Sequence, residues 1–313
     1  MRRLALHFQL TLLLVGSLLV GCDRPSPRDL LHTTSFELAR EHGRHVEVEG
    51  LNLFAIEVGS GRDVILLHGN PTNAYTWRLI IEPLAERYRV HAIDLPGFGF
   101  SDKPAGNDYA PAWLARMVVG YMDAVDAPTA VLVGNSMGGE VATEAAILFP
   151  ARVAALILVA PSGLPEPDAT AVPFGLRLAS WPGVSALLPY LPVRSLARDA
   201  LRTAVYDPEL IDEEVVDAYY EPLRSEGGMR AFVAGMTRQP TADRESLLRR
   251  IRVPTLVIVG DSDRLLHPDV ARRHHELIDG SRLVELAQTG HVPQEERAER
   301  VIDEAFRLID SLP

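Results

Sequence analysis

The stretch TAVLVGNSMGGEVA, residues 129–142, joins an apolar run to a helical pattern through a single serine. An apolar run that ends at glycine predicts a buried strand, and the alanine-rich residues beyond it predict a helix. Ser136 is therefore expected on the turn between them. Its neighbours Gly134, Gly138 and Gly139 lack the Cβ atoms that would clash in a sharp turn. The spacing G-x-S-x-G is that of a nucleophile elbow, and a serine that caps the helix is the alternative.

Strand and helix patterns alternate on both sides of this stretch. Residues 45–50 and 51–59 alternate apolar and polar side chains, as half-exposed antiparallel strands do. Later apolar runs, such as residues 63–69 and 153–161, are almost continuous, which is typical of strands covered on both faces. Helical patterns separate the later runs, at 74–87, 111–125 and 137–149. The chain is therefore predicted to be an α/β protein with a mainly parallel, doubly wound sheet.

The alternation stops between residues 163 and 245. Acidic helical stretches replace the strand patterns there. Strand patterns return at residues 254–263 and 281–290, and a helical pattern closes the chain. We therefore expect a helical cap, residues 163–245, inserted into a core formed by residues 45–162 and 246–313.

The chain begins with two arginines, an apolar segment and then small residues, which is the layout of a secretory signal. Residues 19–22, LVGC, resemble the lipobox of bacterial lipoproteins, in which the cysteine receives a lipid. Cys22 is the only cysteine, so no disulfide can form within the chain and lipidation gives this thiol a use. An uncleaved anchor helix is the alternative, which the polar residues His7 and Gln9 weaken.

These features predict how the protein is held in the cell. Residues 1–21 are expected to be a lipoprotein signal peptide, and residues 22–44 a spacer that ends in a helical turn. A lipid on Cys22 would then anchor the protein to a bacterial cell membrane on the exported side. In a Gram-negative host this is the periplasmic face of the inner membrane.

Charge and motif spacing exclude several classes of partner. The net charge is −11 and no segment concentrates basic residues, so we expect no nucleic-acid partner. The nearest match to a dinucleotide-binding G-x-G-x-x-G is residues 97–102, which end in aspartate, and no H-E-x-x-H spacing occurs. We therefore expect neither a cofactor nor a metal ion.

A reactive serine needs a base, an acid that orients the base, and donors for an oxyanion. His291 follows the last strand pattern, and Asp261 and Asp263 follow the apolar run at 255–259. The resulting order of serine, aspartate and histidine is that of one known arrangement of the catalytic triad.

From about residue 45 to its end, the chain resembles the α/β-hydrolase superfamily with an inserted cap. The resemblance is carried by segments in the family's order: HGNPTNAYTW (68–77), DLPGFGFSDKP (94–104), GNSMGG (134–139), GDSDRLLHP (260–268) and TGHVPQEE (289–296). The α/β-hydrolase fold is therefore the expected fold.

The resemblance also implies roles for individual residues. Ser136 would be the nucleophile, His291 the base and Asp263 the orienting acid, because the family's G-x-x-D matches residues 260–263. Asp261 is the second candidate for the acid, and its other role would be to cap the turn. The loop HGNP implies an oxyanion hole made of the backbone N–H groups of two residues, Asn70 and Met137.

Other side chains near these motifs are expected to have structural roles. His68 would be structural in the oxyanion loop, and His267, His274 and His275 would lie on a solvated helix face or loop. Trp77 either packs beneath the cap or lines an acyl pocket, and the sequence leaves both possibilities open.

The nucleophile indicates the reaction. The chain also resembles haloalkane dehalogenases, but these have an aspartate nucleophile where this chain has Ser136. A serine attacks an acyl carbon, which implies cleavage of esters, thioesters, amides or C–C bonds beside a carbonyl. We expect hydrolysis of carboxylic esters with small or medium acyl groups through an acyl-enzyme. The alternatives are a C–C bond (vinylogous diketone) or thioester hydrolase and, less favoured because the triad is complete, an inactive membrane-tethered binding module.

Overall fold

The computed structural model describes residues 25–107, 109–165, 194–237 and 243–313. Within these ranges a single sheet contains eight strands. Their bounds are β1 Gly43–Val48, β2 Leu51–Gly59, β3 Asp63–Leu67, β4 Arg89–Ile93, β5 Ala130–Asn135, β6 Val153–Val159, β7 Thr255–Gly260 and β8 Arg282–Leu286.

The order of the strands across the sheet is β1-β2-β4-β3-β5-β6-β7-β8. Strands β1, β2 and β4 pair antiparallel, and all pairs from β4 to β8 are parallel. Because the strand order reverses at β3, the crossover from β3 to β4 lies on one face of the sheet and the crossovers from β4 to β5 and from β5 to β6 lie on the other, as in a doubly wound sheet. The predicted α/β-hydrolase fold is confirmed.

The helices of the described ranges connect these strands. Their bounds are α1 Pro27–Thr33, α2 Glu37–His42, α3 Arg78–Ala85, α4 Pro111–Ala124, α5 Met137–Leu148, α6 Arg194–Ala204, α7 Glu213–Arg224, α8 Gly228–Thr237, α9 Arg244–Leu248, α10 Pro268–Leu277, α11 Pro293–Glu296 and α12 Ala298–Ile309. Helices α6, α7 and α8 lie in sequence between β6 and β7, and both α6 and α8 contact α7.

Helices cover both faces of the sheet. Helices α4, α5 and α10 contribute to the core on one face, and α3 and α12 to the core on the other. Along β5, Leu132 belongs to the first core, whereas Val131 and Val133 belong to the second. Because successive strand residues point to opposite faces, a strand covered on both sides is apolar throughout, which is why its sequence lacks alternation.

The structure differs from the predicted spacer at residues 26–42. This segment forms α1 and α2, in which Leu30 is buried, and the buried ring of Phe36 lies between them. The ring of Phe36 contacts that of Tyr75 edge-on, with centroids 5.0 Å apart, and α1 contacts α7. The apolar side chains of this segment find partners far away in the chain, which local composition could not reveal.

We call residues 194–237, which contain α6, α7 and α8, the cap region. Beyond this region, the chain joins the core at a buried ion pair. Arg244, the first residue of α9, has 4% of its surface exposed. Its guanidinium binds the carboxylate of Glu144 and the hydroxyl of Thr143 on α5, and donates to the carbonyl oxygen of Glu140 at 3.1 Å. These bonds attach α9 to the helix that follows the predicted nucleophile.

In the part of the chain that the structure describes, no helix is both long and apolar enough to cross a membrane. The predicted signal peptide and Cys22 lie outside the described residues.

Candidate active site

Ser136 lies on the turn between β5 and α5. Its φ is 53° and its ψ is −118°, a positive φ that residues other than glycine rarely adopt. The turn can be sharp because β5, α5 and the end of β3 approach one another at glycines. A Cβ on Gly134 would lie 2.3 Å from the carbonyl oxygen of Gly138, and a Cβ on Gly138 would lie 2.1 Å from that of Leu67. This geometry is that of a strained strand-to-helix turn, which exposes the serine hydroxyl.

His291 and Asp263 meet on the loops that follow β8 and β7. Nδ1 of His291 lies 2.7 Å from Oδ2 of Asp263. The other carboxylate oxygen accepts the backbone N–H groups of Leu265 and Leu266, each at 2.9 Å. These bonds fix the carboxylate, which holds the imidazole with its proton on Nδ1. Nε2 is then left to accept a proton.

Of the two candidate acids, the structure brings only Asp263 to the histidine. Asp261 is exposed, and its Oδ1 accepts a hydrogen bond from the hydroxyl of the neighbouring Ser262 at 2.7 Å. Asp261 is therefore part of a local turn.

The backbone N–H groups predicted to bind an oxyanion lie close to Ser136. Met137 is the first residue of α5, so its N–H has no partner within the helix. A Cβ on Gly69 would lie 3.1 Å from that of Ser136, so the Asn70 loop runs beside the serine. Within the described ranges, no group accepts a hydrogen bond from the N–H of Asn70 or Met137. Both donors are available for an oxyanion.

His68 and Trp77 are buried, and both have structural roles. His68 is fully buried, with Nδ1 2.7 Å from the carbonyl oxygen of Gly69, and its Nε2 accepts the N–H of Leu95 at 3.0 Å. Burial lowers the pKa of His68, so this histidine is a neutral bridge between two loops. Trp77 is fully buried and does not line the cavity described below, so it is a packing residue.

The solvated position predicted for three histidines is wrong for His274. This side chain is fully buried on α10, and burial lowers its pKa to about 4. His275 is half-buried, with Nδ1 2.8 Å from the hydroxyl of Ser281, and His267 is exposed and caps α10. His274 follows Val270 and Ala271 by one helical turn, and that apolar spacing could have indicated burial.

A cavity of about 420 Å³ contains both Ser136 and His291 in its walls. Helices α6, α7 and α8 provide much of the remaining lining. Its apolar residues include Leu196, Leu201, Ile211, Leu223, Met229 and Phe232. Among the described residues that line the cavity, Glu295 is the only one with a carboxylate or a permanently charged group. The cavity therefore suits an apolar group that is held beside the serine.

Glu295 connects the core to the cap region, and the sequence analysis missed this residue. Its carboxylate accepts bonds from Tyr219 at 2.5 Å, from Thr76 at 2.8 Å and from Arg78 at 2.6 Å. Burial acts to lower the pKa of Arg78, but the charge of Glu295, its hydrogen bond to Arg78 and the nearby Tyr219 and Tyr75 together raise that pKa. Burial, together with Glu295, raises the pKa of Tyr219. The carboxylate is thus already neutralised by Arg78.

Asn135 is a second residue that the sequence analysis missed. Its side-chain amide donates to the carbonyl oxygens of Val159 and His291, each at 3.1 Å. The residue before the serine thereby holds the backbone of the histidine. The amide at this position of the elbow motif was a signal that could have been used.

Comparisons with known proteins agree with this geometry. The family profile described as "alpha/beta hydrolase fold" matches residues 64–298. The 2-hydroxy-6-oxo-2,4-heptadienoate hydrolase of Pseudomonas putida is 32% identical over 268 residues, which cover 82% of this chain and 92% of that protein. This relative favours C–C bond cleavage, the alternative in the sequence analysis, over ester cleavage.

Two solved structures are similar along most of the chain. A meta-cleavage product hydrolase from Pseudomonas fluorescens IP01 has a TM-score of 0.74 and 28% identity, covering 87% of this chain and 98% of that one. A bacterial membrane phospholipase A has a TM-score of 0.73 and 26% identity, covering 99% of this chain and 98% of that one. On its sequence, its fold and the arrangement of its site, the chain belongs to the α/β-hydrolase family and is a hydrolase enzyme of that family.

Proposed function

We propose that the protein is a serine hydrolase that cleaves carboxylic esters with an apolar acyl group. The observation that carries this proposal is the composition of the cavity beside Ser136. Its described lining is largely apolar, and its one carboxylate, Glu295, is paired with Arg78. A neutral acyl chain gains free energy on entering such a cavity, at roughly 25 cal/mol for each Å² of apolar surface removed from water.

In the proposed reaction, the Oγ of Ser136 attacks the acyl carbon while Nε2 of His291 takes the hydroxyl proton. Asp263 holds the opposite nitrogen at 2.7 Å and stabilises the imidazolium that forms. The N–H groups of Asn70 and Met137 bind the oxyanion. His291 then protonates the leaving alcohol, and a water molecule, activated by the same histidine, releases the acid from the acyl-enzyme.

C–C bond hydrolysis is the second candidate, and the named relatives support it. The substrate named for the Pseudomonas putida relative is a dienoate and thus carries a carboxylate. A carboxylate removed from water is strongly destabilised unless a cation or several donors pair with it. The described lining offers no lysine or arginine for that purpose. Because an ester with an apolar acyl group is neutral and the dienoate is charged, we rank ester cleavage as the first candidate.

A panel of substrates separates the candidates. We expect p-nitrophenyl butyrate or octanoate to be cleaved with a kcat/KM at least about 100-fold above that for 2-hydroxy-6-oxo-2,4-heptadienoate. An acyl-coenzyme A in the same panel tests thioester cleavage. The Ser136→Ala variant, assayed with every substrate, reports the background. A preference for the dienoate would assign the protein to the second candidate.

We also propose that Cys22 carries a lipid and that the enzyme acts on the exported side of a bacterial cell membrane. The signal-like segment, the LVGC motif and the absence of any other cysteine support this proposal. The match to the membrane phospholipase A, which covers 99% of this chain, is consistent with it. In a Gram-negative host the enzyme would face the periplasm from the inner membrane.

A further inference from the structure

The loop that carries His291 is hydrogen-bonded to the cap region through its own backbone. The N–H of His291 donates to the carbonyl oxygen of Ala204, the last residue of α6, at 2.6 Å. The approach depends on Gly290, where a Cβ would lie 2.4 Å from the same oxygen. The position of the histidine backbone is therefore tied to the end of one helix of the cap region.

The carboxylate of Glu296 joins the same two segments a second time. One oxygen accepts the N–H of Gly290 at 2.7 Å, and the other accepts the N–H of Tyr206 at 2.7 Å. Gly290 precedes the histidine, and Tyr206 lies two residues after the end of α6. Each carboxylate oxygen thus accepts a backbone N–H from one of the two segments, so the side chain of Glu296 bridges them.

Helix α6 also forms a wall of the cavity. Leu196, Ala197, Ala200, Leu201 and Ala204 all line it, and their spacing places them on one face of the helix. An acyl chain in the cavity would therefore contact the helix whose final carbonyl group holds the histidine N–H.

We propose that Glu296 is a positioning residue that couples the position of the C-terminal end of α6 to the orientation of His291. The proposal rests on the ester hydrolysis proposed above and adds to it a source of chain-length specificity. When a long acyl chain packs on α6, the helix, the Ala204 carbonyl and the imidazole are held together. With a short acyl group, the link between α6 and the histidine loop depends on Glu296 and on the bond from the His291 N–H to the Ala204 carbonyl. Chain length should thus affect kcat as well as KM.

The test compares Glu296→Gln with the wild type on p-nitrophenyl acetate and octanoate. Glutamine keeps one acceptor oxygen and turns an NH₂ group toward the second backbone N–H, so one of the two bonds is lost. We expect kcat for the acetate to fall about 10-fold or more and kcat for the octanoate to fall less than about 3-fold, because misplacement of a catalytic group slows the chemical step. The control is Glu299→Gln, an exposed position three residues further on, which should leave both values unchanged.

Hydrogen exchange gives a readout that does not depend on activity. In Glu296→Gln without ligand, the backbone amides of residues 287–297 should exchange faster than in the wild type, while the amides of β7 should not. Equal losses of kcat on both esters, or unchanged exchange in this loop, would overturn the coupling. A wild type that cleaves neither ester would instead refute the proposed function, and the exchange measurement would still decide whether Glu296 holds the loop.

Discussion

At Ser136 the strained backbone is held by bonds that do not involve the hydroxyl. Its N–H donates to the carbonyl oxygen of Val159 at 3.0 Å, and its own carbonyl accepts the N–H groups of Gly139 and Ser162 at 3.0 and 3.1 Å. The turn is thus maintained by main-chain groups that any residue at this position would supply. The side chain is available for chemistry, and it can be changed without altering the turn.

Ser136→Ala should therefore abolish hydrolysis and leave the fold intact. Loss of a triad member lowers turnover on the order of 10⁴-fold or more. Steady-state assays with the best ester of the panel measure the loss, and a thermal melt superimposable on that of the wild type is the control. Turnover that survives in the purified variant would remove Ser136 from the proposed mechanism.

The two neighbouring aspartates provide a matched pair for a second prediction. Asp263→Asn should reduce kcat on the order of 10⁴-fold, because an amide facing Nδ1 favours the wrong imidazole tautomer. Asp261→Asn should change kcat less than about 3-fold, since the Asp261 side chain is exposed and accepts its hydrogen bond from the neighbouring Ser262 rather than from His291. Equal losses in the two variants would show that the bond between Asp263 and His291 has no special part in turnover.

Among the elements, α5 links the site to the point where the chain re-enters the core. It starts at the residue after Ser136, and its buried Glu144 and Thr143 bind Arg244 of α9. In sequence, helices α6, α7 and α8 lie between β6 and Arg244. A buried charge that loses its partner destabilises a fold strongly, so breaking this pair should destabilise the junction of α9 with α5.

Arg244→Leu should lower the free energy of unfolding by about 3–5 kcal/mol, because it leaves the carboxylate of Glu144 buried without a cation. Urea denaturation followed by circular dichroism measures the change. The double variant Glu144→Leu with Arg244→Leu should regain part of the stability, since neither charge then remains. If the double variant is less stable than Arg244→Leu alone, the buried carboxylate is not the cause of the loss.

At the scale of the whole molecule, residues 26–42 pack against the rest of the folded chain. Helix α1 contacts α7, and Phe36 reaches Tyr75, whose ring in turn meets that of Tyr219 with centroids 5.6 Å apart. Tyr219 lines the cavity. A lipid on Cys22 would be only a few residues from Pro27, where α1 begins. The proposed anchor would thus hold the enzyme by the side on which α1 meets the cap region.

Cys22→Ser in the 313-residue chain should keep the hydrolase activity of the wild type and accumulate with residues 1–21 uncleaved, because the thiol that would receive the lipid is absent. Intact mass of the wild type should show loss of those residues and a gain from lipid, as stable anchoring by several acyl chains requires. Detergent phase partitioning compares the two proteins. A wild type that retains Met1 and carries no lipid would favour an uncleaved anchor helix.

Local sequence was sufficient for the sheet, the elbow and the order of the candidate triad. Apolar continuity marked the buried strands, and the glycines around Ser136 marked a turn too tight for Cβ atoms. Such features depend on neighbours in the chain, so they can be read from it directly. His291 and the two candidate acids, Asp261 and Asp263, could also be placed at one edge, because parallel strands end at the same edge of a sheet, and the resemblance to α/β-hydrolases favoured Asp263.

Only the tertiary structure decided which groups meet across the chain. It brought Asp263 rather than Asp261 to His291, buried His274, and folded residues 26–42 against the cap region. It also showed Glu295 and Glu296 bonding to residues of the cap region that lie 76 and 90 positions away. Those contacts arise from packing between distant segments, whose free energy depends on shape and burial that no local spacing encodes.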